Sequence, residues 1–310
     1  MTESFKDTKK KYEDIRKKYK EKNLLIISPD GKSDAFRMMK NWKWIVVKDG
    51  EESKEYDYVY DLEYSPDGKS FTFAAKKGSR KYVIVKDWKE SNEYKDIQNF
   101  KYSPDGKSFS FRARKEGFYE RVVVKDWEES RVYRSIHDFK YSPDGKGYAF
   151  KAQKENFKWV IVKDWEESEE YDNIYKFKYS PDGKDFVFIA KKNGKRVLIK
   201  NWEENNKYDN VLWFIYSPDG KSFAFEAEKN WKKIIVKDGK ESNEYDNIYS
   251  FEYSPDGRSF AFVAGKNWKK LVIIDGEKKG EYEKQIKRIE YLSNKKLLVV
   301  TKGESWVIEK

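Results

Sequence analysis

The tetrapeptide Ser-Pro-Asp-Gly occurs seven times in this chain, starting at Ser28, Ser65, Ser103, Ser142, Ser180, Ser217 and Ser254. Successive starts lie 37 to 39 residues apart. An eighth, decayed copy follows. RIEYLSNKKLLVV aligns without gaps to SFEYSPDGRSFAF and puts Leu292 where Ser254 sits. A fixed period of this length, filling nearly the whole chain, means a repeat architecture in which each unit packs on its neighbours.

Each repeat has the same grammar. In the seventh copy IYSFEYS reads as a strand and PDG as a turn; RSFAFVA is a second strand, KKLVII a third, and GEYE opens a fourth. Alternating aromatic and β-branched residues between turn residues are strand signals. Proline presets φ at the second turn position, and glycine accepts a positive φ. The 3.6-residue period of a helical solenoid is missing from the repeats. Four short antiparallel strands per repeat predict an all-β fold, an eight-bladed β-propeller. A single domain over residues 1–310 is expected, with 1–23 as closing strand and linker and 24–310 as eight repeats. A seven-bladed ring with one stray repeat is the alternative.

YSPDGKSFAF, repeated with a hydrophobic third strand, resembles the WD-repeat-like repeat of TolB-like bacterial propellers over roughly residues 24–310. The GH and WD dipeptides of eukaryotic WD repeats do not occur. The sialidase Asp-box also fails, because Asp67 and Gly68 are adjacent. The resemblance implies a propeller of a kind that mostly binds partner proteins. The blades are nearly alike, with KDWEES and KYSPDGK recurring. Recent duplication within one gene, or a consensus-based design, produces such a pattern.

The last repeat stops after its third strand. Lys11-Tyr12-Glu13-Asp14-Ile15 resembles Glu244-Tyr245-Asp246-Asn247-Ile248, the fourth-strand signature elsewhere. Residues 8–15 are therefore expected to pair in the last blade and close the ring, which would remove exposed strand edges; a frayed basic N-terminal tail or a short helix is the alternative.

Length varies only between the second and third strands. The Asp or Asn of the third turn precedes the next repeat's serine by 16 residues in every case. The variable b–c loops share an edge of a propeller with the d–a connections, and insertions often mark the binding face. Five of these loops place an aromatic residue at one equivalent position: Trp42, Tyr119, Phe157, Trp231 and Trp268, with Arg80 and Gly194 in two others. Aromatics among lysines, on a chain of net charge +11, can stack on rings and pair with anions. Their equivalence also fits a shared packing role against the next blade. Asp57, Asp96, Asp172, Asp209 and Asp246 in the adjoining d–a connections dilute any phosphate-binding patch.

The c–d turns on the opposite edge read Asp-Gly at Gly50, Gly239 and Gly276, but carry Trp88, Trp127, Trp165 and Trp202 in blades two to five. A bulky residue at positive φ is costly, so these turns are expected to avoid that conformation. The four rings should then cover a nearby proline or form an exposed aromatic arc, which would be a binding site. Two residues before the tetrapeptide lie Glu63, Lys101, Lys140, Lys178, Glu252 and Glu290. Charges on an innermost strand are expected to line the central channel.

The chemistry on offer is thin. There is no cysteine and one histidine, His137. The other blades carry Tyr60, Gln98, Tyr175, Leu212 and Tyr249 there, so His137 reads as repeat drift. No phosphate loop, nucleophile elbow or metal-ligand spacing is present. No catalytic residue, metal or cofactor is expected. The expected function is a non-catalytic scaffold binding a protein or peptide on the b–c/d–a edge. The alternatives are a binder of anionic polymers, nucleic acid or acidic glycan, and a propeller enzyme using carboxylates near the channel. A monomer is expected. No apolar run approaches the ~18 residues of a membrane span. The opening MTESFKDTKKKYEDIRKKYKEK has no apolar core, so the chain as it stands is expected in the cytoplasm, or in the periplasm or outside the cell if a leader was removed.

Overall fold

The computed structural model describes Glu13, Asp14, Lys17 and residues 25–309. Among the described residues, eight antiparallel sheets follow one another along the chain, seven of four strands and the last of three. Blade seven is representative, with strands Asn247–Tyr253, Phe260–Lys266, Lys269–Ile274 and Glu277–Tyr282. The fold is the all-β, eight-bladed propeller that the repeat predicts. The chain forms two compact units, Met1–Phe157 with Val162–Glu166, and Lys158–Ile161 with Glu167–Lys310. Blades one to three belong to the first unit and blades five to eight to the second.

In blades two and seven the second strand is buried on both faces, with Phe71, Phe73 and Ala75 on one face and Thr72 and Ala74 on the other in blade two. The third strand adds a buried aliphatic triplet, such as Val83, Ile84 and Val85. The first strand is amphipathic and bulged. Its pairing with the second strand shifts register between Ile248 and Ser250 in blade seven, and between Tyr60 and Glu63 in blade two. In blades two to four the bulge carries Asp61, Asn99 and Asp138 at positive φ. Asx residues tolerate that region best among non-glycines.

The Ser-Pro-Asp-Gly turn is a closed hydrogen-bond unit. In blade three the Ser103 hydroxyl donates to Asp105 Oδ1 at 2.6 Å and accepts the Ser108 N–H at 2.9 Å. Asp105 Oδ1 also accepts the Lys107 N–H at 3.2 Å. The serine is fully buried, which rules it out as an exposed nucleophile. Gly106 has φ +73°, and a Cβ there would come within 2.9 Å of Asp67 in the preceding blade. Only glycine lets successive turns nest this closely.

The c–d turns correct the sequence reading. Asp87 and Trp88 have φ of 47° and 65°, and the pairs at 126–127, 164–165 and 201–202 are also left-handed at both residues. These are two-residue hairpin turns of the type whose twist matches the strands. Tryptophan therefore sits where glycine is expected, at about 1–2 kcal/mol of strain. The turn is held by its first residue: Asp87 Oδ1 accepts the Phe71 N–H at 2.8 Å, and the Asp87 N–H returns to the Phe71 carbonyl at 2.9 Å.

Neighbouring blades are clamped by a tyrosine, a glutamate and lysines. The Tyr94 hydroxyl donates to Glu129 at 2.7 Å, and Lys115 pairs with the same carboxylate at 2.7 Å. Tyr208, Glu241, Lys207 and Lys229 repeat the arrangement in the second unit. There Lys207 and Lys229 lower the Glu241 carboxyl to about 2.

The expected closing strand over residues 8–15 falls largely outside the described residues. Glu13 and Asp14 within it are helical. The last sheet comprises Ile286–Ser293, Lys296–Thr301 and Ser305–Glu309, with no N-terminal strand among the described residues. The tyrosine-aspartate signature also proves to be a crossover: Tyr245 bridges to Lys233 of blade six, while Asn247 opens blade seven.

The turns also set an acid limit. The serine hydroxyl and then the lysine N–H hold Asp67, Asp105 and Asp219 below the usual carboxylate range. Groups lowered on folding stabilise the protein above their unfolded pKa, and that contribution is lost as pH falls through the folded one. The contribution of these aspartates should thus be constant from neutral pH down to about pH 4 and be lost below it. Ser103→Ala should blunt the part of this acid loss due to Asp105. Thermal melts across pH 2–7 test this, and identical pH profiles would contradict it.

Candidate functional site

The b–c loops place their aromatics in two different situations. In blades one, six and seven they are two-residue turns, Asn41-Trp42, Asn230-Trp231 and Asn267-Trp268, with both residues left-handed. The equivalent turn of blade five is Asn193-Gly194. Glycine therefore fills this position in the same chain without strain. The three indoles gain no burial in exchange: Trp42, Trp231 and Trp268 are 92%, 91% and 98% exposed. The expectation that these rings pack against the next blade is wrong for all three.

It holds better in blades three and four. Their longer loops bring Tyr119 and Phe157 against the Arg134 guanidinium, 3.9 and 4.4 Å from the two ring centroids. Both rings keep about half of their surface exposed. Phe118, which the sequence reading passed over, packs edge-on to Tyr119 and is also exposed.

A groove of about 430 Å³ lies beside Trp268, lined by Asp246, Tyr249, Lys266 and Lys270. The Lys270 ammonium sits 4.0 Å from the Tyr249 ring centroid. Asp246 accepts the Asn267 N–H at 3.0 Å and pairs with Lys232 at 2.7 Å. The Lys232 bond, then the Asn267 N–H, hold this carboxyl below its ordinary value. Asp209 similarly accepts the Asn230 N–H at 2.9 Å. Lys43 pairs with Asp57, and Lys158 with Asp172 at 2.6 Å. The d–a aspartates thus brace the b–c turns and neutralise lysines of the same edge.

Of the c–d tryptophans, Trp88 and Trp127 are half-buried, while Trp165 and Trp202 are more exposed. Each lies against aromatic side chains from the second strand of its own sheet. Trp88 contacts Phe71 and Phe73, Trp127 contacts Phe109 at 4.8 Å, Trp165 contacts Tyr148 at 5.1 Å, and Trp202 contacts Phe186 and Phe188. The preceding blade completes the site. Lys89 lies 5.0 Å over the Trp127 ring, and Trp165 Nε1 donates to Glu128 at 3.2 Å.

Among the first-strand charges, Glu63, Lys101, Lys140 and Lys178 are exposed, while Glu252 and Glu290 are half-buried. Burial, with the Glu290 charge adding to it, raises the Glu252 carboxyl. His137 pairs in register with Lys151. Partial desolvation, then the Lys151 and Arg112 charges, lower its imidazole below the ordinary value. The exposed Trp213, with the Lys176 ammonium 3.5 Å from its ring centroid, escaped the sequence reading. Lys176 and Ser250 occupy its position in blades five and seven, so comparing columns of the repeat would have flagged it. Among the described residues no group of three His, Cys, Asp or Glu side chains is placed to hold a metal ion, and no helix is long and apolar enough to cross a membrane.

No protein-family model and no curated protein sequence matches this chain. Solved structures resemble it at low identity. A eukaryotic initiation factor is 14% identical with a TM-score of 0.44, covering 92% of this chain and 84% of its own. The Dos1 propeller is 10% identical at 0.37, covering 92% and 91%. TolB from Acinetobacter baumannii is 15% identical at 0.32, covering 84% and 80%. The repeated four-stranded sheets are those of a β-propeller.

The two kinds of tryptophan turn should respond oppositely to glycine. Trp268→Gly removes strain and no packing, so it should leave stability unchanged or raise it by about 1 kcal/mol. Trp88→Gly removes the same strain but also a ring packed on two phenylalanines, so it should destabilise by about 1–3 kcal/mol. Urea unfolding of the two variants measures this, and the same sign for both would refute it.

Proposed function

We propose that this chain is a non-catalytic interaction scaffold that takes a protein or peptide partner on the edge formed by its b–c loops and d–a connections. The carrying observation is the trio of bare indoles at Trp42, Trp231 and Trp268, each held in a strained turn position that glycine fills at Gly194. Strain retained without packing is a mark of a functional site. Tryptophan is also a leading anchor residue in protein interfaces. Tyr119 and Phe157, with Arg134 between them, offer a second aromatic surface of the same kind. The c–d tryptophans serve mainly to pack their own blades.

The polyanion reading is the weaker one. Lys43, Lys158 and Lys232 on this edge each face a d–a aspartate, so much of its positive charge is already balanced. Binding to nucleic acid would need uncompensated charge and would weaken steeply with salt.

A random peptide display library, panned on the wild-type protein, tests the proposal. Selected peptides should bind the variant Trp42→Gly/Trp231→Gly/Trp268→Gly about tenfold or more weakly, in line with the loss of hot-spot aromatics. Their affinity should change little between low and physiological salt. Peptides that bind both proteins equally would overturn the assignment of this edge. Salt-sensitive binding of single-stranded DNA or heparin, with no peptide selected, would bring the polyanion reading forward.

A further inference from the structure

The opposite edge carries two open grooves whose shape is explained by the blades beside them. In blades two to five the indole of each c–d turn rests on aromatic residues of its own second strand, and in blades three and four the preceding blade supplies Lys89 or Glu128 beside it. In blades six and seven the turn residue is Gly239 or Gly276, while the other parts of the site remain. A groove of about 740 Å³ opens in blade six over Phe223 and Phe225, beside Gly239, with Glu203 of blade five on its wall. A groove of about 360 Å³ opens in blade seven over Phe260 and Phe262, beside Gly276, with Lys240 of blade six on its wall.

The wall residues match the occupied sites. Glu203 stands two residues after Asn201, as Glu128, which accepts the Trp165 indole N–H, stands two after Asp126. Lys240 stands two residues after Asp238, as Lys89, which covers the Trp127 ring, stands two after Asp87. The blade-six groove thus presents an acceptor for an indole N–H, and the blade-seven groove a cation for the face of an indole. Both have an aromatic floor and sit in consecutive blades.

We infer that these grooves are docking sites for tryptophan side chains of a partner polypeptide, which would supply in trans the ring that Trp127 and Trp165 supply in cis. The occupant is set by the template: the same floor and the same wall position already hold an indole within this chain. This site is separate from the b–c/d–a edge, and it does not depend on the function proposed for that edge.

The chain also offers a way to close the sites. A Cβ at Gly239 or Gly276 would meet nothing within 4 Å, and both glycines have the left-handed φ that tryptophan already adopts at the equivalent turns. The variant Gly239→Trp/Gly276→Trp should therefore fold, with a melting temperature at or above wild type, and fill both grooves from within. The probe is N-acetyl-tryptophanamide, followed by saturation-transfer NMR, with N-acetyl-leucinamide as control. The wild-type protein should transfer saturation to the indole protons and not to leucine. The filled variant should lose that transfer, and Trp231→Gly/Trp268→Gly should keep it. Lys240→Ala should weaken the blade-seven share by about threefold, the expected loss of an exposed cation–π contact. No transfer in the wild type, or equal transfer in the folded, filled variant, would overturn the inference. Sedimentation velocity gives the last arm: self-association abolished by the filled variant would make the occupant a second copy of this chain, and would overturn the partner assignment.

Discussion

One side-chain hydrogen bond recurs through the c–d turns of this molecule. In each of the first seven blades the Asp or Asn that opens the c–d turn reaches back to the N–H at or beside the start of the second strand, at 2.8 to 3.0 Å. This bond holds a two-residue, left-handed turn whatever residue comes next. Because the first position carries the conformation, the second is free to be Gly or Trp. The b–c turns of blades one, five, six and seven also begin with a left-handed Asn, and in blades six and seven it is the d–a aspartate that braces them, Asp209 and Asp246 accepting the Asn230 and Asn267 N–H. What differs between blades is then the side chain presented at a fixed point, which is how a repetitive scaffold acquires distinct surfaces without changing its frame.

Three outcomes follow from that one position. A tryptophan on the c–d side falls onto the aromatic second strand and becomes part of the packing. In blades six and seven a glycine there leaves a groove where the ring would lie. A tryptophan on the b–c side of a short turn has nothing beneath it and stands in solvent. The energetic contrast is clear. Burying an aromatic ring contributes a few kcal/mol, enough to outweigh a strained φ, while an exposed ring does nothing to offset that strain within the folded chain.

The strands, the turns between them and the number of blades were legible because they are carried by period and by residue type. The Ser-Pro-Asp-Gly turn announces itself, and Phe260 and Phe262 alternate as a buried strand should. The left-handed tryptophans were not legible. Propensity argues against them, and only the hydrogen bond from the preceding Asp reveals why the backbone is held there. The first-strand bulges were hidden too, since an inserted residue at Asp138 looks like ordinary drift in an amphipathic strand. Blade-end packing was anticipated for all five b–c aromatics. It fits Tyr119 and Phe157 because Arg134 lies between them, and fails for Trp268 because its loop is too short to fold back on the sheet. The grooves of blades six and seven were present in the sequence as a change from Trp to Gly, but a missing side chain becomes a site only when the floor beneath it is seen.

The nesting of successive Ser-Pro-Asp-Gly turns has an arithmetic side. Gly68, Gly106, Gly145, Gly220 and Gly257 each tuck against the aspartate of the turn before, so the contact has a direction. In the eighth copy Asn294 and Lys295 stand where Asp and Gly stand elsewhere. Asn294 still caps its predecessor by accepting the Asp256 N–H at 3.0 Å, but it offers the next turn no aspartate to nest against. A row of interchangeable units can add or slip by one without local penalty. The decayed copy is the one of the eight whose turn breaks that interchangeability.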